Sequence, residues 1–183
     1  MTADSSFGDL HRARIRGLAR VEDMTDVDGL VEASLLLVTE RGCMLTPAGL
    51  ERHEQLLVAW RDAVDLEMIA TAYERFLTVN QPMQDTCAGW QSVSADAEAL
   101  FLTVDSLSGI VQRVKPALRR AAQTAPRFGT YAPRLDAALD AAAGGDGRFV
   151  TDPRVDSLHS IWFECHEDFL VTLGRDREEE GSF

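Results

Sequence analysis

The chain has 183 residues, 45% of them hydrophobic and 26% charged, a mixture that excludes wholesale disorder and suffices for one large or two small cores. Thirty Asp and Glu stand against 18 Lys and Arg, for a net charge of -12 and a pI near 4.7. That balance argues against an indiscriminate nucleic-acid binder, because phosphate affinity comes mainly from Lys and Arg. No apolar run approaches the roughly 18–20 residues of a membrane span; compact ones such as Leu35–Val38 are only four or five residues long. The polar, acidic start Met1–Gly8 is unlike a secretory signal. Cys43, Cys87 and Cys165 are odd in number and widely separated. They read as reduced, mostly buried thiols of a cytoplasmic protein, with no disulfide framework and no zinc knuckle.

Helical periodicity dominates the pass along the chain. Leu10, Ala13, Ile15 and Leu18 predict a first helix ending near Val21, and Gly29–Glu40 predicts a second, terminated at Gly42. Cys43–Leu45 leaves room for one narrow strand. Thr46-Pro47 combines an N-cap with a proline at the first helical position and opens a long helix expected to run through Tyr73 to Val79. Pro82 is expected to break or kink the chain, with Asn80 as either a cap or a polar anchor beside a pocket. From Asp96 onward Leu100, Val104, Leu107, Val111, Val114 and Leu118 alternate steps of three and four, the signature of a packed helix seam. A loop over Pro126–Pro133, a short helix over Arg134–Ala143, a glycine-rich turn at Gly144–Gly147 and a last helix over Asp156–Leu173 complete the chain.

The stretch from Arg14 to about Leu57 resembles a winged helix-turn-helix module of the MarR type. The residues that carry the likeness are Leu30–Gly42 as a third helix and Cys43-Met44-Leu45-Thr46-Pro47-Ala48-Gly49 as a wing-to-helix junction. The resemblance implies a recognition helix before the wing. The matching stretch, Asp28–Glu40, has no Arg, Lys, Asn or Gln with which to read bases and carries Asp28, Glu32 and Glu40 instead. DNA binding through the basic run Arg12, Arg14, Arg16 and Arg20 stays open but disfavoured. From Tyr73 onward the chain resembles, more distantly, a helical module that follows winged helices in actinobacterial proteins. The stretches concerned are Tyr73–Leu77, Trp90-Gln91, Pro126–Phe128 and Trp162–Asp168. That likeness implies fold and no chemistry.

The last helix holds the most suggestive constellation. A histidine beside carboxylates on an aromatic-rich helix can serve as general acid or base, which makes His166, with Glu167 and His159, the catalytic candidates. The competing reading of His166 is a structural histidine at a helix–helix contact. Two turns, about 10.5 Å of rise, separate His159 from His166, too far to share one metal. Paired Glu-x-x-His motifs are missing, so neither metal nor cofactor is expected. Nucleophile elbow and phosphate-loop signatures are absent as well. Tyr73, Asn80, Trp90, Trp162 and Arg127 are the ligand-binding candidates, the first four as walls and anchors of a pocket.

The expected architecture is therefore all-α: a small winged-helix-like unit at 8–60, a helical bundle at 61–176 and an acidic tail at 177–183. The expected function is small-molecule binding, with a cofactor-free acid–base enzyme as its sharpest form. A ligand-responsive regulator and a protein–protein adaptor are the alternatives. The long helix after Pro47 would bury its apolar stripe best against a second copy, so a homodimer is expected.

Overall fold

The structure, a computed structural model, describes residues 5–92 and 97–175. The acidic tail at 177–183 lies outside them. Among the described residues there are eight α-helices and one two-stranded sheet, and no helix is long and apolar enough to cross a membrane. The chain divides into two compact units. One comprises the residues up to Val64 together with those from Leu170 onward, and the other runs from Asp65 to Phe169.

The first unit opens with α1 (Ser5–Arg16), which ends at Gly17 in the left-handed region (φ +68), one turn before the expected end at Val21. Asp9, buried, accepts the backbone N–H groups of Thr25 and Asp26, both at 2.8 Å, and so fixes the loop that enters the next helix. Asp26 then caps α2 (Val27–Glu32) by accepting from the Gly29 amide at 3.0 Å.

The structure corrects the reading of Gly29–Glu40 as one helix. α2 has only six residues, Ser34 adopts φ +59, and Leu36–Thr39 is a strand, β1, paired antiparallel with β2 (Gly42–Leu45). The physical reason is tertiary. Cys43 exchanges two 2.8 Å backbone hydrogen bonds with Ala19, which anchors β2 and gives β1 a partner that a helix would forgo. Gly42 meets the requirement of this contact: its φ is +139, and a Cβ there would lie 2.4 Å from the Ala19 carbonyl oxygen.

Thr46 caps α3 (Pro47–Arg61) as its sequence predicts, accepting from the Gly49 amide at 3.0 Å while its hydroxyl donates to the Ser34 carbonyl at 2.7 Å. α3 does not continue to Val79. It stops at Arg61, and Asp65 starts α4 (Leu66–Ser92) by accepting from the Met68 amide at 2.9 Å. The Arg61 guanidinium donates to the Val171 and Thr172 carbonyls at 2.7 and 2.9 Å, satisfying the C-terminal end of the last helix. Leu10, Ala13, Leu30, Leu36 and Cys43 form one core cluster of this unit, and Ile15, Leu57 and Val171 form another.

In the second unit α4 runs through Pro82 without ending, so of the expected break or kink the break does not occur. An interior proline costs about 3 kcal/mol. Burying a large apolar side chain stabilises by roughly 1.5–3 kcal/mol, and α4 buries Phe76 and Val79 before Pro82 and Met83 and Cys87 after it. Continuity therefore wins. The seam predicted after Asp96 is α5 (Ala97–Ala122), with Leu107, Val111, Val114, Leu118 and Ala121 buried. A 3₁₀ turn over Pro126–Thr130 leads into α6 (Tyr131–Ala143), so Pro133 sits in the first turn of a helix and not in a loop. The short α7 (Arg148–Thr151) precedes α8 (Leu158–Leu173). α8 is buried on most of its circumference, including Leu158, Ile161, Trp162, Cys165 and Phe169, and serves the second unit up to Phe169 and the first from Leu170 on.

Candidate functional site

The centre of the second unit is aromatic. Phe76 stacks on Trp162 with ring centroids 4.6 Å apart, and Phe128 meets Phe169 at 4.4 Å. Tyr73 and His166 lie against the same group, at 5.3 and 5.3 Å from Phe169 and Phe76 respectively. Offset and tilted ring pairs of this kind add about 0.5–1.5 kcal/mol each beyond simple burial.

Two polar pairs thread this cluster. The Tyr73 hydroxyl and His166 Nε2 are 2.8 Å apart, in residues 0% and 2% exposed. The Trp162 indole N–H donates to Asn80 Oδ1 at 2.9 Å. Asn80 is thus an interior helix residue serving Trp162, not the cap of a broken helix. Of the sequence-predicted residues, Tyr73 meets His166 and Asn80 meets Trp162, two pairs about two turns apart on α4 with Phe76 against both Trp162 and His166. Trp90 does not join them. It lies 17 positions beyond Tyr73 on a continuous helix, about 25 Å along the axis, with its ring against Gly147. Glu167 is half-buried, and His159 is on the exposed side of α8, where partial desolvation lowers its pKa.

Arg127 serves a network that sequence reasoning missed. Asp168 is fully buried and accepts from Arg127 Nε and from the Tyr131 hydroxyl, both at 2.9 Å. Burial, and next the charge of Asp168, push the Tyr131 phenol well above its ordinary pKa, so it remains a donor. One helical turn before Asp168, Glu164 takes a bidentate pair from Arg134 at 2.9 and 2.8 Å, and Arg134 Nε also reaches Asp156 at 3.2 Å. Desolvation opposes the Arg134 charge, yet the Glu164 bonds and the two carboxylate charges hold its pKa above the ordinary value. No pattern within the helix marks this network, because Asp168 follows Glu164, His166 and Glu167 in sequence.

These polar groups satisfy one another inside the core. An apolar cavity of about 490 Å3 lies elsewhere in the unit, between α5 and α6. Leu100, Phe101, Val104 and Ala142 line it, with Ser108 and Asp105 as polar members. Phe101 is 71% exposed and the adjacent Leu102 59%. The tract Leu100-Phe101-Leu102 places three apolar residues in a row on a helix, so at least one must leave the seam, and that was the available signal. Among the described residues no group of three or more metal-ligating side chains occurs.

The three cysteines are buried and free, as expected. Burial raises the pKa of each, that of Cys87 to about 11. Since the thiolate is the reactive form, none should be alkylated by iodoacetamide at neutral pH in the folded protein, whereas all three should react in denaturant. Mass spectrometry before and after unfolding checks this, and rapid native labelling at any of the three would contradict it.

Comparison of the chain with protein-family models, curated proteins and solved structures returns no significant match.

Proposed function

We propose that the chain is a small-molecule-binding helical protein whose ligand occupies the cavity between α5 and α6. The observation that carries this is the combination of an apolar space of about 490 Å3 with few polar members and an aromatic side chain, Phe101, left 71% exposed at its wall. Ligand pockets are commonly about 300–1,000 Å3, mostly apolar, with a few polar groups that orient the ligand. The His166–Tyr73 pair is read here as an internal strut, because both residues are buried and each meets the other's polar atom. An acid–base role for His166, Glu167 and His159 is not part of the reading.

The experiment is titration of a neutral apolar fluorophore against the full chain and two variants. Val104→Trp should fill the cavity and weaken binding at least about tenfold, roughly 1.4 kcal/mol, with helical circular dichroism unchanged. His166→Ala should lower the melting temperature and leave probe affinity where it was. Equal binding by Val104→Trp, or loss of binding in a folded His166→Ala, would overturn the assignment.

The first unit is read as a winged-helix-like scaffold. Its order of helix, single-residue bridge, helix, hairpin and helix supports this. DNA binding remains disfavoured, since α2 carries Asp28 and Glu32, and Arg12 and Arg16 are engaged with Asp9 and Asp23. A salt-dependent shift of duplex DNA at about 50 mM salt, where phosphate contacts are strongest, would reverse that judgement.

A further inference from the structure

We propose that the ligand of the cavity between α5 and α6 is an apolar amine, bound as its ammonium with Asp105 as counterion. This rests on the reading of that cavity as a binding site and adds the chemistry of its occupant. Among the described residues Asp105 is the one charged side chain of the lining, and no Arg, Lys or His belongs to it. The Asp105 carboxylate makes no ion pair or hydrogen bond with any described residue. The Ser108 hydroxyl likewise has no partner among them. A serine inside a helix commonly closes onto the carbonyl one turn back, as Ser106 does to Leu102 at 3.0 Å.

A third group of the lining is backbone. The carbonyls of Asp140, Ala141 and Ala142 accept from the amides of Gly144, Asp146 and Gly145. That of Ala143, the last residue of α6, accepts no hydrogen bond among the described residues. A helix C-terminus carries about half an elementary negative charge, and the last turn of α6 holds no basic residue to offset it. Arg148, the next basic residue along the chain, is engaged with Asp146 at 2.9 and 2.6 Å.

The polar part of the site is thus a carboxylate, a carbonyl and a hydroxyl, a set dominated by acceptors. An ammonium supplies the missing N–H donors together with a positive charge. A ligand carboxylate would instead meet the like charge of Asp105, the negative helix end and a chain of net charge -12. The apolar body of the amine has Leu100, Val104 and Ala142 to cover it. The exposed Phe101 ring adds a face that attracts cations.

The test is calorimetric titration of the full chain at neutral pH with naphthylmethylamine, its neutral N-acetyl amide and naphthylacetate. The ammonium should bind at least about threefold tighter than the amide, the scale of a solvent-exposed ion pair, and the carboxylate weakest. Salt raised from about 50 to 500 mM should narrow that preference. Asp105→Asn should abolish it while amide affinity stays where it was. Glu32→Gln, on α2 and outside the cavity, changes the net charge equally and should leave the preference intact. An amide that binds as well as the ammonium overturns the proposal and leaves the cavity a site for neutral ligands. So does a preference that survives Asp105→Asn or that Glu32→Gln removes equally. Failure of all three probes to bind overturns it together with the reading on which it rests.

Discussion

Replacing Asp168 by Ala should lower the unfolding free energy by about 3–4 kcal/mol, because removing one partner of a buried charge pair strands the other. The Asp168 carboxylate accepts from Arg127 and Tyr131 with no exposure to solvent. Alanine would leave the phenol unsatisfied and the Arg127 guanidinium, 24% exposed, without that anion. At roughly 2–4 °C per kcal/mol for a chain of this size, the melting temperature should fall by about 10 °C. Asp168→Asn keeps the volume and an acceptor oxygen, so it should cost about 2 kcal/mol. Urea denaturation with a common m-value measures both. A loss below about 1 kcal/mol for Asp168→Ala would mean that the pair contributes little to stability.

The second large effect is expected at Gly49. A Cβ there would lie 2.0 Å from the Leu35 carbonyl oxygen, a backbone atom that also accepts from the Thr46 amide at 3.1 Å. Nothing flexible can give way, so α3 or the strand entry must move. Gly49→Ala should therefore destabilise by about 3 kcal/mol even though alanine is the better helix former. The damage should be local. Hydrogen exchange should rise through α1, the hairpin and α3 and stay low in α5 and α6. An unchanged exchange pattern would show that the close approach is relieved at little cost.

How much of this was legible in the sequence depended on whether the deciding interaction was local. The α5 seam and the Thr46-Pro47 helix start were readable, because spacing along one helix and a cap within three residues specify them. Of the hairpin only the second strand was readable, at Cys43–Leu45, and the first was not. Leu35–Val38 suits a buried helix and a strand equally, and the choice is made by Ala19, whose bond to Cys43 spans 24 positions. Helical spacing alone groups Asp168 with Glu164 and Glu167 on the outer face of its helix. Its partners lie 41 and 37 residues away, beyond any pattern in the helix itself. The pocket fared likewise: the aromatic and histidine residues that suggested a site satisfy one another inside the core. The cavity is walled by ordinary apolar residues of α5 and α6, which carry no chemical signature.

The bonds from Arg61 to the carbonyls of Val171 and Thr172 span 110 and 111 positions, and they bear on how the protein is made. Synthesis delivers the chain from its N-terminus at about 5–20 residues per second. The residues up to Val64 are thus exposed for several seconds before Val171 arrives to fill the cluster with Ile15 and Leu57. The cluster of Leu10, Leu30, Leu36 and Cys43 lies wholly within the portion translated first, whereas the cluster of Ile15 and Leu57 must wait for Val171. During that interval Ile15 and Leu57 are the apolar side chains left without their last partner.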